Sequence, residues 1–309
     1  MTPLQRYIAE EIATDHVDGL MSRREAMRRL ALLGVGTAAA TALIAACGEN
    51  QQSAGTSSAT SSGPPPSTPP ATEAASPPGM DAALPTTPVT WAGPRGELQG
   101  AWAEAPDARG GVLVIHENKG LNDWVRSVAG RLAGAGYSSL AIDLLSAQGG
   151  TATFADPAEA TAALGNLAPQ DMVADLKSGI AELQRRTPGV KVAAVGFCMG
   201  GGLVWRLLAG GAPELAAAFP FYGPTPDDPD FSGSKDVAVL GFYGALDQRV
   251  NATEPVAKAA LEKAGIVHEL VTEPGANHAF FNDTGDRYDA GAAADAWRRM
   301  QDWLTTHVG

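Results

Sequence analysis

The stretch AVGFCMGGG, residues 194–202, constrains this chain more than any other. A largely apolar run over residues 190–195 leads into its glycines, and LVWRLLAG after them reads as a helix. The shape is strand, glycine-pinched turn, helix. Such a turn lifts one side chain clear of a sheet's carboxyl end, and here that side chain is Cys198, flanked by Gly196 and Gly200. The cysteine then has two readings, a catalytic thiol or a small buried hydrophobe at a strand end.

The balance of 22 basic against 34 acidic residues argues against a nucleic-acid partner, because neutralising phosphates needs clustered Lys and Arg. At 309 residues the chain has ample length for a buried core. Its only cysteines are Cys47 and Cys198, and neither C-x-x-C nor H-E-x-x-H spacing occurs. A zinc site or a disulfide framework is therefore not expected, and neither is any other metal or organic cofactor.

Residues 1–47 read as an export segment. Paired arginines, Arg23 and Arg24, stand ahead of an uncharged stretch over residues 30–46 that is short for a spanning helix. The pair resembles a twin-arginine signal. Ile44-Ala45-Ala46-Cys47 resembles a bacterial lipobox, whose cysteine becomes the lipid-bearing first residue. An uncleaved membrane helix with an incidental cysteine is the alternative. The long leader over residues 1–21 suggests an amphipathic helix around residues 4–12. From residue 48 to 85 the chain is rich in Ser, Pro, Thr and Ala and reads as a flexible tether, since little there repays the entropy of folding. Together these features imply a lipid-anchored, extracytoplasmic domain over residues 86–309, expected to be monomeric.

That domain alternates strand and helix. PVTWAG and LQGAWAEA read as an antiparallel pair, GGVLVIHE as a buried strand, and residues 124–135 as an amphipathic helix. YSSLAIDLL is the next strand, with helices over residues 157–167 and 170–186. After the glycine turn come LAAAFPFYG, VAVLGFYGALD and HELVTEPGANHAF, with helices over 254–264 and 290–307. The alternation implies a mostly parallel sheet with helices on both faces, which binds ligands beyond the carboxyl ends of its strands. Cys198, Asp247 and His278 all fall at such ends.

G-x-C-x-G on a strand–turn–helix resembles the nucleophile elbow of the α/β-hydrolases, with cysteine in place of serine. A thiol with an ordinary pKa of about 8.5 is mostly protonated at neutral pH, so it needs a base. His16 lies in the leader, His307 near the C-terminus, and His268 inside an expected strand, while His116 precedes the nucleophile. The α/β-hydrolase order of nucleophile, acid, histidine selects His278, in a glycine-containing loop after the last strand. Asp247, at the end of VAVLGFYGALD, is the acid that would orient it. Asp143 comes before Cys198 and reads as structural. A dinucleotide-binding turn is the rival reading of the glycines, but their spacing is not G-x-G-x-x-G. The oxyanion would be held by the backbone N–H of Met199 and that of Asn118. Trp124, Tyr222 and Phe281 are candidate pocket-lining residues, each equally readable as core packing.

GFCMGG, YGALDQRV and GANHAF, with HENKGLNDWVRSVAGRLAGAGYSSLAIDLL upstream, resemble the dienelactone hydrolase family over about residues 86–307. The resemblance implies an ester- or lactone-cleaving enzyme working through a thioester. It also implies that Glu117 contacts the resting thiol and takes its proton on substrate binding. A solvated loop carboxylate is the alternative for Glu117. The chain departs from the family where two arginines hold the substrate's carboxylate, since Ala147 and Asn282 stand there. The expectation is therefore a neutral ester or lactone, with Arg287 the nearest candidate cation for an anionic one. A binding lipoprotein without turnover, and a thiol-dependent acyltransferase or peptidase, are the other classes left open.

Overall fold

The computed structural model describes residues 1–54 and 76–309. Most of the expected tether, residues 55–75, lies outside the described residues. The chain divides into two compact units, one up to Ser76 and one from Pro77 to Gly309.

The first unit holds α1 (Pro3–Val17), α2 (Arg23–Leu32) and α3 (Thr37–Ala54). Thr2 and Gln5 close a reciprocal capping box on α1, with Pro3 in the first turn, where its missing N–H costs nothing. The expected amphipathic helix is this one, and Leu4, Ile8 and Ile12 on its i, i+4 row are buried. The uncharged stretch over residues 30–46 is not continuous. Gly34 takes a left-handed φ of 80° and separates α2 from α3. The helix α3 also runs past Cys47 to Ala54, beyond the boundary read from composition. Among the described residues, no helix is long and apolar enough to cross a membrane.

The second unit is an eight-stranded sheet. In chain order it contains β1 (Thr87–Gly93), β2 (Gly96–Ala103), β3 (Gly110–Ile115), α4 (Asp123–Gly134), β4 (Tyr137–Asp143), α5 (Pro157–Gly165) and α6 (Pro169–Arg186). Then come β5 (Val192–Phe197), α7 (Met199–Ala209), β6 (Leu215–Phe221), β7 (Ala238–Gly244), α8 (Gln248–Asn251), α9 (Glu254–Ala264), β8 (His268–Glu273) and α10 (Ala290–His307). The strands lie in the order β1-β2-β4-β3-β5-β6-β7-β8. The pairs β1–β2 and β2–β4 are antiparallel and the others parallel. Every residue of β3, β5 and β7 is buried. Successive side chains of a strand point to opposite faces, so both faces of the sheet centre are covered. Helices α4, α6, α7 and α10 pack on these strands.

The folded unit begins nine residues before the expected start at Thr86. Residues 80–82 form a 3-10 turn, and the Leu84 N–H donates to the Gly130 carbonyl of α4 at 3.0 Å. A Cβ on Gly130 would come within 2.3 Å of the Leu84 carbonyl oxygen, so the segment lies directly on the helix backbone. A proline- and alanine-rich stretch can dock this way without hydrophobic periodicity, which is why composition reads it as tether.

Gly130→Val should lower unfolding stability by about 1–3 kcal/mol in urea titration, because the added side chain must displace the 77–85 segment. In a chain starting at Thr86, which has nothing to displace, the same substitution should cost much less. Equal losses in the two backgrounds would show that this segment does not contribute to the fold.

Candidate active site

The turn from β5 into α7 is an elbow in the strict geometric sense. Cys198 takes φ 55° and ψ −117°, a region that costs a non-glycine residue about 1–3 kcal/mol. The surroundings hold it there. Its N–H donates to the Phe221 carbonyl at 3.0 Å, and its carbonyl accepts from Gly202 N–H at 3.1 Å. A Cβ on Gly196 would sit 2.2 Å from the Gly200 carbonyl oxygen, and one on Gly200 would sit 2.4 Å from that of Ile115. Only glycine allows strand, helix and the end of β3 to approach so closely. Met199 opens α7, so its N–H belongs to the unpaired first turn of a helix beside the thiol.

Asp247 follows β7 and caps α8, its Oδ1 accepting from Val250 N–H at 3.2 Å. Its Oδ2 lies 2.5 Å from His278 Nδ1. Burial pushes the Asp247 carboxyl up, but the His278 and Arg249 charges and the Val250 N–H outweigh it and hold it below its ordinary value. It is thus ionised and accepts the Nδ1 proton. Cys198 Sγ and a ring nitrogen of His278 lie within 4.8 Å of each other. With Nδ1 committed to Asp247, Nε2 is the nitrogen left to serve the thiol. The three residues chosen from chain order therefore meet at one place. His268 instead opens β8 and donates through Nδ1 to the Ile266 carbonyl at 2.8 Å.

Glu117 is buried, not a solvated loop group. Its Oε1 accepts from Tyr222 OH at 3.3 Å and its Oε2 from Asn282 Nδ2 at 2.8 Å. The amide of Asn282 is oriented by Thr284, whose N–H and hydroxyl donate to Asn282 Oδ1 at 3.0 and 2.7 Å. Burial first, then the charges of Glu117 and Cys198, hold the Tyr222 phenol well above its ordinary pKa, so it remains a donor. The Tyr222 ring also meets the His278 ring edge-on, with centroids 5.2 Å apart. Asn118, the expected second oxyanion donor, is buried in the loop after β3.

The other pocket candidates divide. Phe281 is fully buried and packs 5.5 Å from Phe197 and 5.3 Å from Phe221, which makes it core. Trp124 sets its ring edge against Phe197 and donates through Nε1 to Asp283 Oδ1 at 2.8 Å. Arg287 stands half-buried between Asn282 and α10. A cation that the sequence did not single out has a clearer place. Arg131 is fully buried and its Nη2 grips Asp283 at 2.8 and 3.0 Å. Asp143, read as structural, accepts from Leu145 N–H, Thr151 N–H and Thr151 Oγ1–H.

A mostly parallel sheet with an elbow after β5, an acid after β7 and a histidine after β8 defines an α/β-hydrolase. Residues 98–308 match the dienelactone hydrolase family, and the chain belongs to that family of ester and lactone hydrolases. A protein of Escherichia coli O157:H7 named "Putative carboxymethylenebutenolidase" is 31% identical over 210 residues, 64% of this chain and 77% of its own. One of the same name from Synechocystis is 31% identical over 250 residues, 74% of this chain and all of its own. Among solved structures, the dienelactone hydrolase-like promiscuous phosphotriesterase P91 from metagenomic libraries superposes with a TM-score of 0.56 at 26% identity. That match covers 73% of this chain and 100% of P91.

Asp283→Ala should destabilise the protein by about 3–5 kcal/mol, because it strands the Arg131 guanidinium in the interior. Arg131→Met combined with Asp283→Leu should cost far less, since no buried charge remains. If urea unfolding shows the double variant to be as unstable as Asp283→Ala, the loss comes from Trp124 or packing and not from the unpaired cation.

Proposed function

We propose that the protein hydrolyses a carboxylic ester or lactone through a thioester on Cys198. His278 Nε2 receives the thiol proton as Sγ attacks the carbonyl carbon. The N–H groups of Met199 and Asn118 hold the resulting oxyanion. Collapse breaks the C–O bond, and the leaving alkoxide takes the proton from His278. Water then attacks the thioester carbon, giving a proton to His278; the C–S bond breaks, the thiolate takes that proton back, and the acid is released. Asp247 orients the imidazole and stabilises its charged form. Glu117 accompanies the thiol, as in the family. The observation that carries this reading is the 2.5 Å contact of His278 with Asp247 beside a cysteine held at positive φ.

A neutral acyl group suits the site best. The position where the family offers an arginine holds Asn282, which is engaged with Glu117, and the buried Arg131 is engaged with Asp283. Residues 1–47 are proposed to direct export, with Cys47 as the lipid-bearing residue. Exposed Arg23 and Arg24 and the order Ile44-Ala45-Ala46-Cys47 support that reading.

With a neutral aryl ester as substrate, Cys198→Ala should lose turnover while keeping the parent's unfolding curve. Mass spectrometry should trap an acyl group on Cys198 of the parent. His278→Ala and Asp247→Asn should each lower kcat by at least about 10²-fold, and their losses should not add. Additive losses would mean that Asp247 does not act through His278. The methyl ester of a matched pair should match or exceed its free acid in kcat/KM.

Expressed in an exporting bacterium, the protein should partition with membranes and begin at Cys47. Cys47→Ala should abolish incorporation of labelled fatty acid. Parent protein that carries no label would refute the anchor.

A further inference from the structure

His116 is fully buried at the end of β3, and the chemistry proposed above does not use it. Both ring nitrogens are engaged. Nε2 accepts the Leu144 N–H at 3.2 Å, so the proton sits on Nδ1, which donates to the Glu117 carbonyl at 2.6 Å. Gly120 N–H donates to the same carbonyl at 3.3 Å. Burial, opposed by the nearby Asp143 carboxylate and two backbone carbonyls, keeps the imidazole below its ordinary pKa and hence neutral.

The position of this ring in the sheet gives the contact its meaning. Strand β3 lies between β4 and β5, and Leu144 directly follows β4, so the ring leans toward the β4 side. Cys198 directly follows β5, on the other side. The peptide joining Glu117 to Asn118 is planar and trans, so its C=O and N–H point in opposite directions. A carbonyl drawn toward β4 turns the Asn118 N–H toward β5. The backbones already meet there, since a Cβ on Gly200 would lie 2.6 Å from the His116 carbonyl oxygen.

The geometry points to His116 as the positioning residue of the oxyanion site: by holding the Glu117 carbonyl, it aims the Asn118 N–H at the carbonyl oxygen of a substrate on Cys198. This inference rests on the thioester reading. His116 touches neither substrate nor thiol, and its effect runs through one peptide plane. A side chain that only donates at the Nδ1 position should serve. One that only accepts at the Nε2 position should not.

Asparagine and glutamine separate the two contacts. His116→Asn retains an N–H near the Nδ1 site, and His116→Gln retains a carbonyl oxygen near the Nε2 site. Full-length parent and variants are assayed with the neutral aryl ester, and rates are normalised to the protein whose Cys198 is alkylated by iodoacetamide, read by mass spectrometry of its peptide. An unfolded chain is alkylated as well, so the folded fraction from each protein's urea unfolding curve enters the normalisation too. His116→Gln should lose about 10²-fold in kcat with KM nearly unchanged, the usual cost of one oxyanion donor. His116→Asn should stay within a few-fold of the parent. The rate constant for alkylation of Cys198, which needs no oxyanion site, should be the same in all three proteins. Parental kcat in His116→Gln, equal losses in both variants, or alkylation slowing in step with turnover would each overturn the proposal. Turnover that survives Cys198→Ala would instead overturn the thioester reading on which it rests.

Discussion

The whole carboxyl end of the sheet depends on one residue being held at a backbone angle that its side chain disfavours. Cys198 leaves β5 at φ 55°, and Tyr222 leaves the neighbouring β6 at φ 35°. Each is pinned by donating its N–H to a carbonyl of the next strand, Cys198 to Phe221 at the end of β6 and Tyr222 to Phe242 inside β7. Two adjacent strands therefore end in the same way. The repetition stations a thiol and a phenol beside each other without a loop between them. The strain at each is offset by bonds to a strand that is itself buried, so neither can relax without loosening the centre of the sheet.

An aromatic floor lies beneath these two residues. Phe197 and Phe221 have centroids 4.9 Å apart, Phe221 and Phe242 4.3 Å, and Phe197 and Phe281 5.5 Å. A dry floor strengthens every electrostatic contact above it and makes an unmatched polar group costly. The site meets that condition by giving its two carboxylates separate donors. Asp247 takes His278 and the Val250 N–H, while Glu117 takes Tyr222 and Asn282. With no shared proton between them, the two acids are free to do different work.

Much of this was legible in the sequence, because the informative features were local or ordered along the chain. Glycine spacing marked the elbow, alternating apolar runs marked the strands, and chain order picked out Cys198, Asp247 and His278, which the fold brings together. What escaped depends on contacts without local pattern. Arg131 and Asp283 are 152 residues apart, and nothing local to either marks the pairing. The 77–85 segment docks through its backbone onto a glycine of α4. Phe281 stands three residues after His278 in the same loop, but its ring packs into the aromatic floor, and a sequence does not show which way a loop side chain turns. Asn282 was noticed only as a missing arginine, and the structure shows it as the partner of Glu117.

The loop after β8 shows how irregular backbone can carry chemistry that demands fixed geometry. Residues 276–289 hold no long regular element, yet they supply His278 and Asn282 to the site and Phe281 to the floor beneath it. Three anchors replace the missing secondary structure. His278 is tied to Asp247, Asp283 is clasped by Arg131 and Trp124, and Asp289 N–H returns to the Phe280 carbonyl at 3.0 Å. The first two anchors reach different parts of the fold, Asp247 after β7 and the helix α4, while the third closes the loop on itself, so the loop cannot pivot about either outside tie. Asn282 lies between the first two anchors in sequence, and that is why a short amide side chain can hold Glu117 in place. The buried ion pair at Asp283 thus does more than neutralise Arg131, because it fixes the residue next to Asn282, whose amide sets the position of the buried Glu117 carboxylate.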